Sequence, residues 1–175
     1  NNIDLDISKG EFCGLVGPSG SGKTTLLNII GALDSGTSGE VSVLNQVINE
    51  SSHDERALIR RKDMGFIFQN YNLLPVYSVY ENVEIPLILN KVEKNKRRSM
   101  VLDAIESVGL SDKISSKPNQ LSGGQCQRTA IARAIVHKPS LVLADEPTAN
   151  LDSENSHHIM KIMKDLNRNL DTSFI

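Results

Sequence analysis

Several absences narrow the possibilities for this chain of 175 residues before any motif is considered. No apolar run approaches the roughly 20 residues needed to cross a bilayer, and no signal-peptide pattern is visible. Positive charge is not in excess: 19 Lys and Arg stand against 21 Asp and Glu, a net charge of −2. The chain therefore has no global basic footprint, and no nucleic-acid partner is expected. Cysteine is scarce. Cys13 and Cys126 are lone residues that make no disulfide framework, which points to a reducing, cytoplasmic setting. Repeats and low-complexity tracts are also missing, and the length is on the scale of a single domain with one core.

What is present is a glycine loop of the phosphate-binding kind, Gly17-Pro18-Ser19-Gly20-Ser21-Gly22-Lys23-Thr24-Thr25. The apolar residues Phe12 to Val16 before it predict a buried strand. Leu26, Leu27, Ile29, Ile30 and Leu33 after it have the spacing of one helical face, so the helix starts near Lys23. Glycines let the backbone curl until successive N–H groups point at phosphate oxygens, and the helix N-terminus adds its partial positive charge. Lys23 supplies a full charge to the β- and γ-phosphates, and the Thr24 hydroxyl is placed to ligate Mg²⁺. At average composition this pattern arises by chance in roughly one chain in two hundred of this length. The flanking strand and helix lower that further, so a glycine-rich turn without a ligand is the weaker reading.

Leu141 to Glu146 is a second apolar run, ending in two adjacent carboxylates. Such a run is buried on both faces of a parallel sheet, and its carboxyl end is where such sheets bind ligands. Asp145 fits as the Mg²⁺ partner of the phosphate loop, directly or through water. Glu146 can then face an attacking water as general base. Alone, a strand ending in Asp-Glu reads as a solvated turn; beside a phosphate loop the functional reading prevails. A second glycine motif, Leu121-Ser122-Gly123-Gly124-Gln125, opens another helix. Two loops of these kinds on one chain point to a nucleotide site completed by a second copy.

With both loops and the acidic strand in hand, the chain resembles the ATPase subunit of an ABC transporter over nearly its full length. Gly17 to Thr25 corresponds to Walker A, Leu141 to Glu146 to Walker B, Leu121 to Gln125 to the ABC signature, Phe68-Gln69 to the Q-loop and Asn150-Leu151-Asp152 to the D-loop. Asn70 to Pro75 and Tyr80 to Leu87 resemble the bacterial lipoprotein-release, macrolide-export and antimicrobial-peptide-export branch. The resemblance implies ATP and Mg²⁺ as cofactors and a P-loop α/β fold. That fold has a mostly parallel sheet, an inserted helical lobe and partial N-terminal antiparallel strands. It implies a single ATPase domain over 1–175, with a core lobe at 1–69 and 138–175 and a helical signature lobe at 70–137.

Lys23, Gln69 and Glu146 are then the catalytic candidates, with Thr24, Gln69 and Asp145 at the metal. Ser122, Gly123, Gly124, Gln125 and Asp152 would serve the nucleotide of a head-to-tail second subunit. The implied setting is peripheral, on the inner face of the cell membrane, with an integral membrane permease as partner. An adenine-stacking aromatic is expected upstream of Asn1 and a switch histidine shortly after Ile175. His157 and His158 are read as solvated helix positions. Cys126 stands where these relatives usually carry glutamine. At a helix start it is expected to gain thiolate character as a redox or alkylation handle, with an inert buried cysteine as the alternative.

Three other readings remain open at this stage. A DNA-maintenance ATPase shares the motifs and needs a long coiled coil between the two loops. A translation-associated factor needs two such domains, and a regulatory module would bind nucleotide without turnover. For the remaining elements, Ile3, Leu5 and Ile7 alternate as a strand leading through a Ser8-Lys9-Gly10 turn. Glu40 to Leu44 and Met64 to Phe68 read as strands, and Asp54 to Arg61 as a helix. Further helices are expected over Val79 to Leu89, Lys94 to Val108, Gly123 to Val136, and from a Ser153 cap to about Arg168, before a final strand. The five basic residues of Lys91 to Arg98 read as a solvated helix face.

Overall fold

The computed structural model describes residues 3–175; residues 1 and 2, with which the expected core lobe begins, lie outside the described residues. In chain order the first half holds α1 (Lys23–Ile30), the strands β1 (Ser42–Val43) and β2 (Gln46–Val47), α2 (His53–Asp63), β3 (Met64–Phe68) and α3 (Val79–Leu89). The second half holds α4 (Lys94–Ser107), α5 (Gly123–Ile135), β4 (Leu141–Asp145), α6 (Ser153–Leu170) and β5 (Ser173–Phe174). No helix among the described residues is long and apolar enough to cross a membrane.

A parallel sheet in the order β3-β4-β5 lies at the centre. Its strands are short apolar runs, and alternate residues feed opposite faces. Ile67 and Val142 join Val83, Leu87, Ile131 and Ile159 in one core. Met64, Leu141 and Leu143 face the other way, onto Leu27, Ile59 and Ile175. Both faces are therefore covered by helices, as parallel pairing requires. The pairing of β3 with β4 is in register from Met64↔Leu141 to Phe68↔Asp145, so the two strands end level with each other.

Helix starts follow from short polar signals. Ser52 with Glu55, Ser78 with Glu81 and Ser122 with Gln125 form reciprocal capping boxes at α2, α3 and α5. At α6 the cap is Asp152, whose carboxylate accepts from the Asn155 N–H, and not the expected Ser153. A carboxylate one residue earlier reaches the free amides better than a hydroxyl already inside the first turn.

The N-terminal part departs from the expected strands. The Ser8 turn forms, with the Glu11 N–H donating to the Ser8 carbonyl at 3.2 Å. Residues 3–7 pair with no strand among the described residues, however, and Ile3 and Leu5 are 64% and 46% exposed. Of the segment Phe12 to Val16, only Phe12 makes a bridge, parallel to Phe174, and its ring stacks on that of Phe174 at 5.7 Å. Val16 is 99% exposed, because no neighbouring strand among the described residues covers this edge. The antiparallel pairing that does form is the β1–β2 hairpin, in which the expected strand at 40–44 shrinks to Ser42–Val43. Leu33 lies past the end of α1 and is exposed, so the helical face ends at Ile30.

Helix α5 packs unusually close to the sheet at Gly65. A Cβ placed there would lie 2.3 Å from the Ala134 carbonyl oxygen. Alanine in a strand interior normally stabilises relative to glycine, but here it must push α5 off β3. Gly65→Ala is expected to lower stability by about 1–3 kcal/mol, the range of an overpacked core, as read from the urea midpoint. A neutral or stabilised variant would show that this contact relaxes freely.

Candidate functional site

Three segments converge at the carboxyl ends of β3 and β4. Beyond Phe68 the chain passes to Gln69, and beyond Asp145, its register partner, to Glu146. The third segment is the glycine loop before α1. The Thr24 hydroxyl donates to Asp145 Oδ1 at 3.2 Å, which fixes the start of α1 against the end of β4. Lys23 Nζ donates to the carbonyls of Gly17 and Pro18 at 2.9 and 3.1 Å. Its ammonium is thus held over its own loop, where the phosphates of a ligand would lie, and does not trail into solvent.

The loop is built to leave donors free. Gly20 and Gly22 have φ of 75° and 94°, a region that glycine alone enters without penalty. Gly22 caps α1 with no side-chain acceptor and no acidic residue follows in the first turn. Helices α2, α3, α5 and α6, by contrast, all begin at a serine or aspartate cap that occupies one of those amides. The first amides of α1 therefore keep their hydrogen-bonding capacity for an anion. Ser19 to Gly22, Thr24 and Thr25 are exposed, so this surface is open. A separate cleft of about 210 Å³ at α2, lined by Ala32, Leu33, Ser51, His53, Arg56 and Arg60, shares no residue with it.

Glu146 is exposed and has φ of 47°. For a residue with a Cβ the left-handed region costs about 1–3 kcal/mol, and such outliers concentrate at functional sites. The loop behind it is tied down on two sides. Asn150 Nδ2 donates to the Gln69 carbonyl at 3.0 Å and to Asn70 Oδ1 at 3.3 Å, which joins the segments following β3 and β4. Gln127 of α5 donates to the Pro147 carbonyl at 2.7 Å. Further along α5, Arg133 donates to the carbonyls of Tyr71 and Asn72, at 2.7 and 2.5 Å. Tyr71 and Asn72 are themselves left-handed, with φ of 59° and 47°. Burial pushes the Arg133 guanidinium below its usual pKa.

The second glycine motif lies on the other side of this loop. Ser122 is exposed and accepts from the Gln125 N–H at 3.3 Å, while Gln125 Oε1 accepts from the Ser122 N–H at 2.9 Å. Side chains at its two glycines would crowd their neighbours. A Cβ on Gly123 would lie 3.1 Å from the Tyr71 hydroxyl, and one on Gly124 would lie 2.6 Å from Asn155 Oδ1. Asp152 accepts from both the backbone and the side-chain amide of Asn155, at 2.8 and 2.7 Å, and these bonds hold its carboxyl below the usual range.

Cys126 departs from the expected reactive thiol. It is buried, its Sγ lies 3.7 Å from the Pro118 carbonyl, and burial pushes the thiol pKa up. The first turn of a helix lowers a thiol pKa only where the thiolate can be solvated or paired, and here desolvation prevails. His157 and His158 are exposed on α6. Gln127 and Arg133 went unassigned in the sequence. The signal available was a second glutamine and a second arginine in a helix otherwise rich in alanine and isoleucine.

The family model described as "ABC transporter" matches residues 1–149. The lipoprotein-releasing system ATP-binding protein LolD of Pseudoalteromonas translucida is 47% identical over 173 residues, which is 99% of this chain and 75% of that protein. An ABC transporter ATP-binding protein of Bacillus subtilis, YvrO, is 48% identical over 95% of this chain and 73% of its own length. Among solved structures, the dimeric post-hydrolysis state of the ATP-binding cassette MJ0796 bound to ADP and Pi aligns with a TM-score of 0.88. It is 45% identical over 99% of this chain and 76% of that one.

The burial of Cys126 has a direct consequence. In the folded protein a maleimide should modify it at least tenfold more slowly than in urea, because both access and thiolate fraction are low. Mass spectrometry of peptides from a timed labelling series gives the two rates. Equal rates would return Cys126 to the accessible, reactive class.

Proposed function

The chain belongs to the ABC transporter family, and we propose that it binds and hydrolyses ATP at a site completed by a second copy, thereby driving a separate integral membrane permease. The observation that carries this reading is the hydrogen bond from Thr24 to Asp145. It joins the glycine loop to the acidic strand end, which supports reading the loop as a phosphate cradle beside a metal-binding oxygen pair and a carboxylate base.

The chemistry of the donors fits the cofactors. A hydroxyl and a carboxylate are hard oxygen ligands, and Mg²⁺ is commonly held by one or two such groups together with substrate phosphates. Thr24 and Asp145, with Gln69 alongside, would hold that ion. When bound, Mg²⁺ neutralises charge on the phosphates. The residues of the chain do the rest: amides from Gly17 to Thr25 and the Lys23 ammonium orient and neutralise the phosphoryl group, and Glu146 accepts a proton from the attacking water.

An open phosphate surface cannot exclude water by itself, which favours closure by a partner. In this reading Ser122, Gly123, Gly124, Gln125 and Asp152 of one subunit close over the nucleotide of the other, head to tail. The segments 1–69 with 138–175 and 70–137 act as core and helical lobes, with Gln69 at their junction. Residues between the two glycine motifs support a transporter subunit over a DNA-maintenance ATPase. They form packed helices of 11, 11 and 14 residues and leave no place for a coiled-coil arm. The similarity to LolD and its branch favours export or extraction of lipoproteins or peptides, with the subunit peripheral on the cytoplasmic face of the membrane.

Two substitutions test the assignment. Glu146→Gln should retain ATP binding while turnover falls by roughly 10²-fold or more, the usual worth of a general base. An ATP-stabilised dimer should then appear on size-exclusion chromatography. Turnover near wild type would remove Glu146 from this role. Ser122→Arg should keep the nucleotide affinity of the monomer and lose dimer-dependent hydrolysis. An affinity loss as large as that of Lys23→Ala would contradict a site shared between copies.

A further inference from the structure

Gln127 is fully buried in α5, yet its amide is only half used. Its Nε2 donates to the Pro147 carbonyl at 2.7 Å, while its Oε1 is buried without a partner. A buried acceptor left unpaired is a cost that an apolar side chain of the same size would not carry. Packing alone therefore gives no reason for an amide here; the bond to Pro147 does.

Pro147 directly follows Glu146, whose backbone is left-handed at φ 47°. A residue before proline favours extended backbone, so Glu146 adopts a conformation that its own side chain and its neighbour both oppose. Pro147 has no N–H, and its carbonyl is the single backbone group through which residue 147 can be anchored by hydrogen bonding. The next bond along, from the Ala149 N–H to the Glu146 carbonyl at 3.1 Å, closes the turn on itself and ties it to nothing outside. Thr24 and the pairing with Phe68 hold Asp145 before the base; after it, the closest external tie is the one from Gln127.

We propose that Gln127 is a positioning residue for Glu146, holding the strained Glu146–Pro147 backbone so that the carboxylate stays aimed at its water. The inference rests on Glu146 acting as the base. It also gives α5 a second task. The helix that begins at Ser122 carries, one turn further on, the support of the base in its own subunit, so a shift of α5 reaches Glu146 through a single hydrogen bond.

The test is steady-state phosphate release by the intact subunit over an ATP titration. Gln127→Met keeps the volume and removes the donor. It should lower kcat by roughly ten- to a hundredfold, as small misplacements of reacting groups do, with KM within about twofold and an unchanged or raised melting temperature. In a Glu146→Gln background the same substitution should leave residual turnover unchanged, since no base remains to be aimed. A kcat for Gln127→Met within about twofold of wild type overturns the proposal, as does an equal further loss in the Glu146→Gln background. If Gln127→Met does not fold, Gln127→Asn keeps the amide but falls one methylene short of Pro147, and it must show the same selective loss of kcat. Wild-type turnover by Glu146→Gln alone would instead refute the assignment of the base, a separate failure.

Discussion

The level ending of β3 and β4 is the constraint from which the rest of the site follows. Because Phe68 pairs with Asp145, the residues after each strand emerge side by side at one edge of the sheet. Gln69 and Glu146 become neighbours through backbone register and not through any attraction between their side chains. Thr24 can then reach Asp145 from α1, and Asn150 can reach back to the Gln69 carbonyl. A slip of one residue would turn Asp145 to the other face of the sheet and separate it from Thr24.

Helix α5 is the second fixed body. It lies against β3 where Gly65 leaves no room for a side chain. From that position it grips the loop after β3 through Arg133 and the loop after β4 through Gln127. Most of the irregular backbone at the site, including the left-handed Tyr71, Asn72 and Glu146, is therefore held from one helix. This explains how several unfavourable backbone conformations coexist in one small region: each is opposed locally and stabilised by a donor whose own place is set by the core.

Much of this was legible in the sequence, because the motifs are local and their physics is short-range. The glycine loop, the apolar strand ending in Asp145-Glu146 and the Ser-x-x-Gln start of α5 each state their own conformation. The helices α3, α4 and α5 and the strand Met64–Phe68 match their periodicity to within a residue. What the sequence did not disclose depends on partners distant along the chain. Ile3, Leu5 and Val16 have strand character but find no strand to pair with among the described residues. The burial of Cys126 depends on Pro118 and the packing around α5, and the tasks of Gln127 and Arg133 exist only once Pro147, Tyr71 and Asn72 have been folded beside them.

The glycines of the phosphate loop are not interchangeable. At Gly20 and Gly22 an added Cβ meets nothing within 4 Å, so there is room for a side chain and only the left-handed backbone excludes it. At Gly17 the backbone is ordinary, but a Cβ would lie 2.8 Å from the Ser21 hydroxyl. Chirality selects glycine at the first two positions, and volume selects it at the third. A chemist rebuilding this loop could therefore relieve position 17 by trimming Ser21, whereas at positions 20 and 22 no change in neighbouring side chains would admit an L-amino acid without strain.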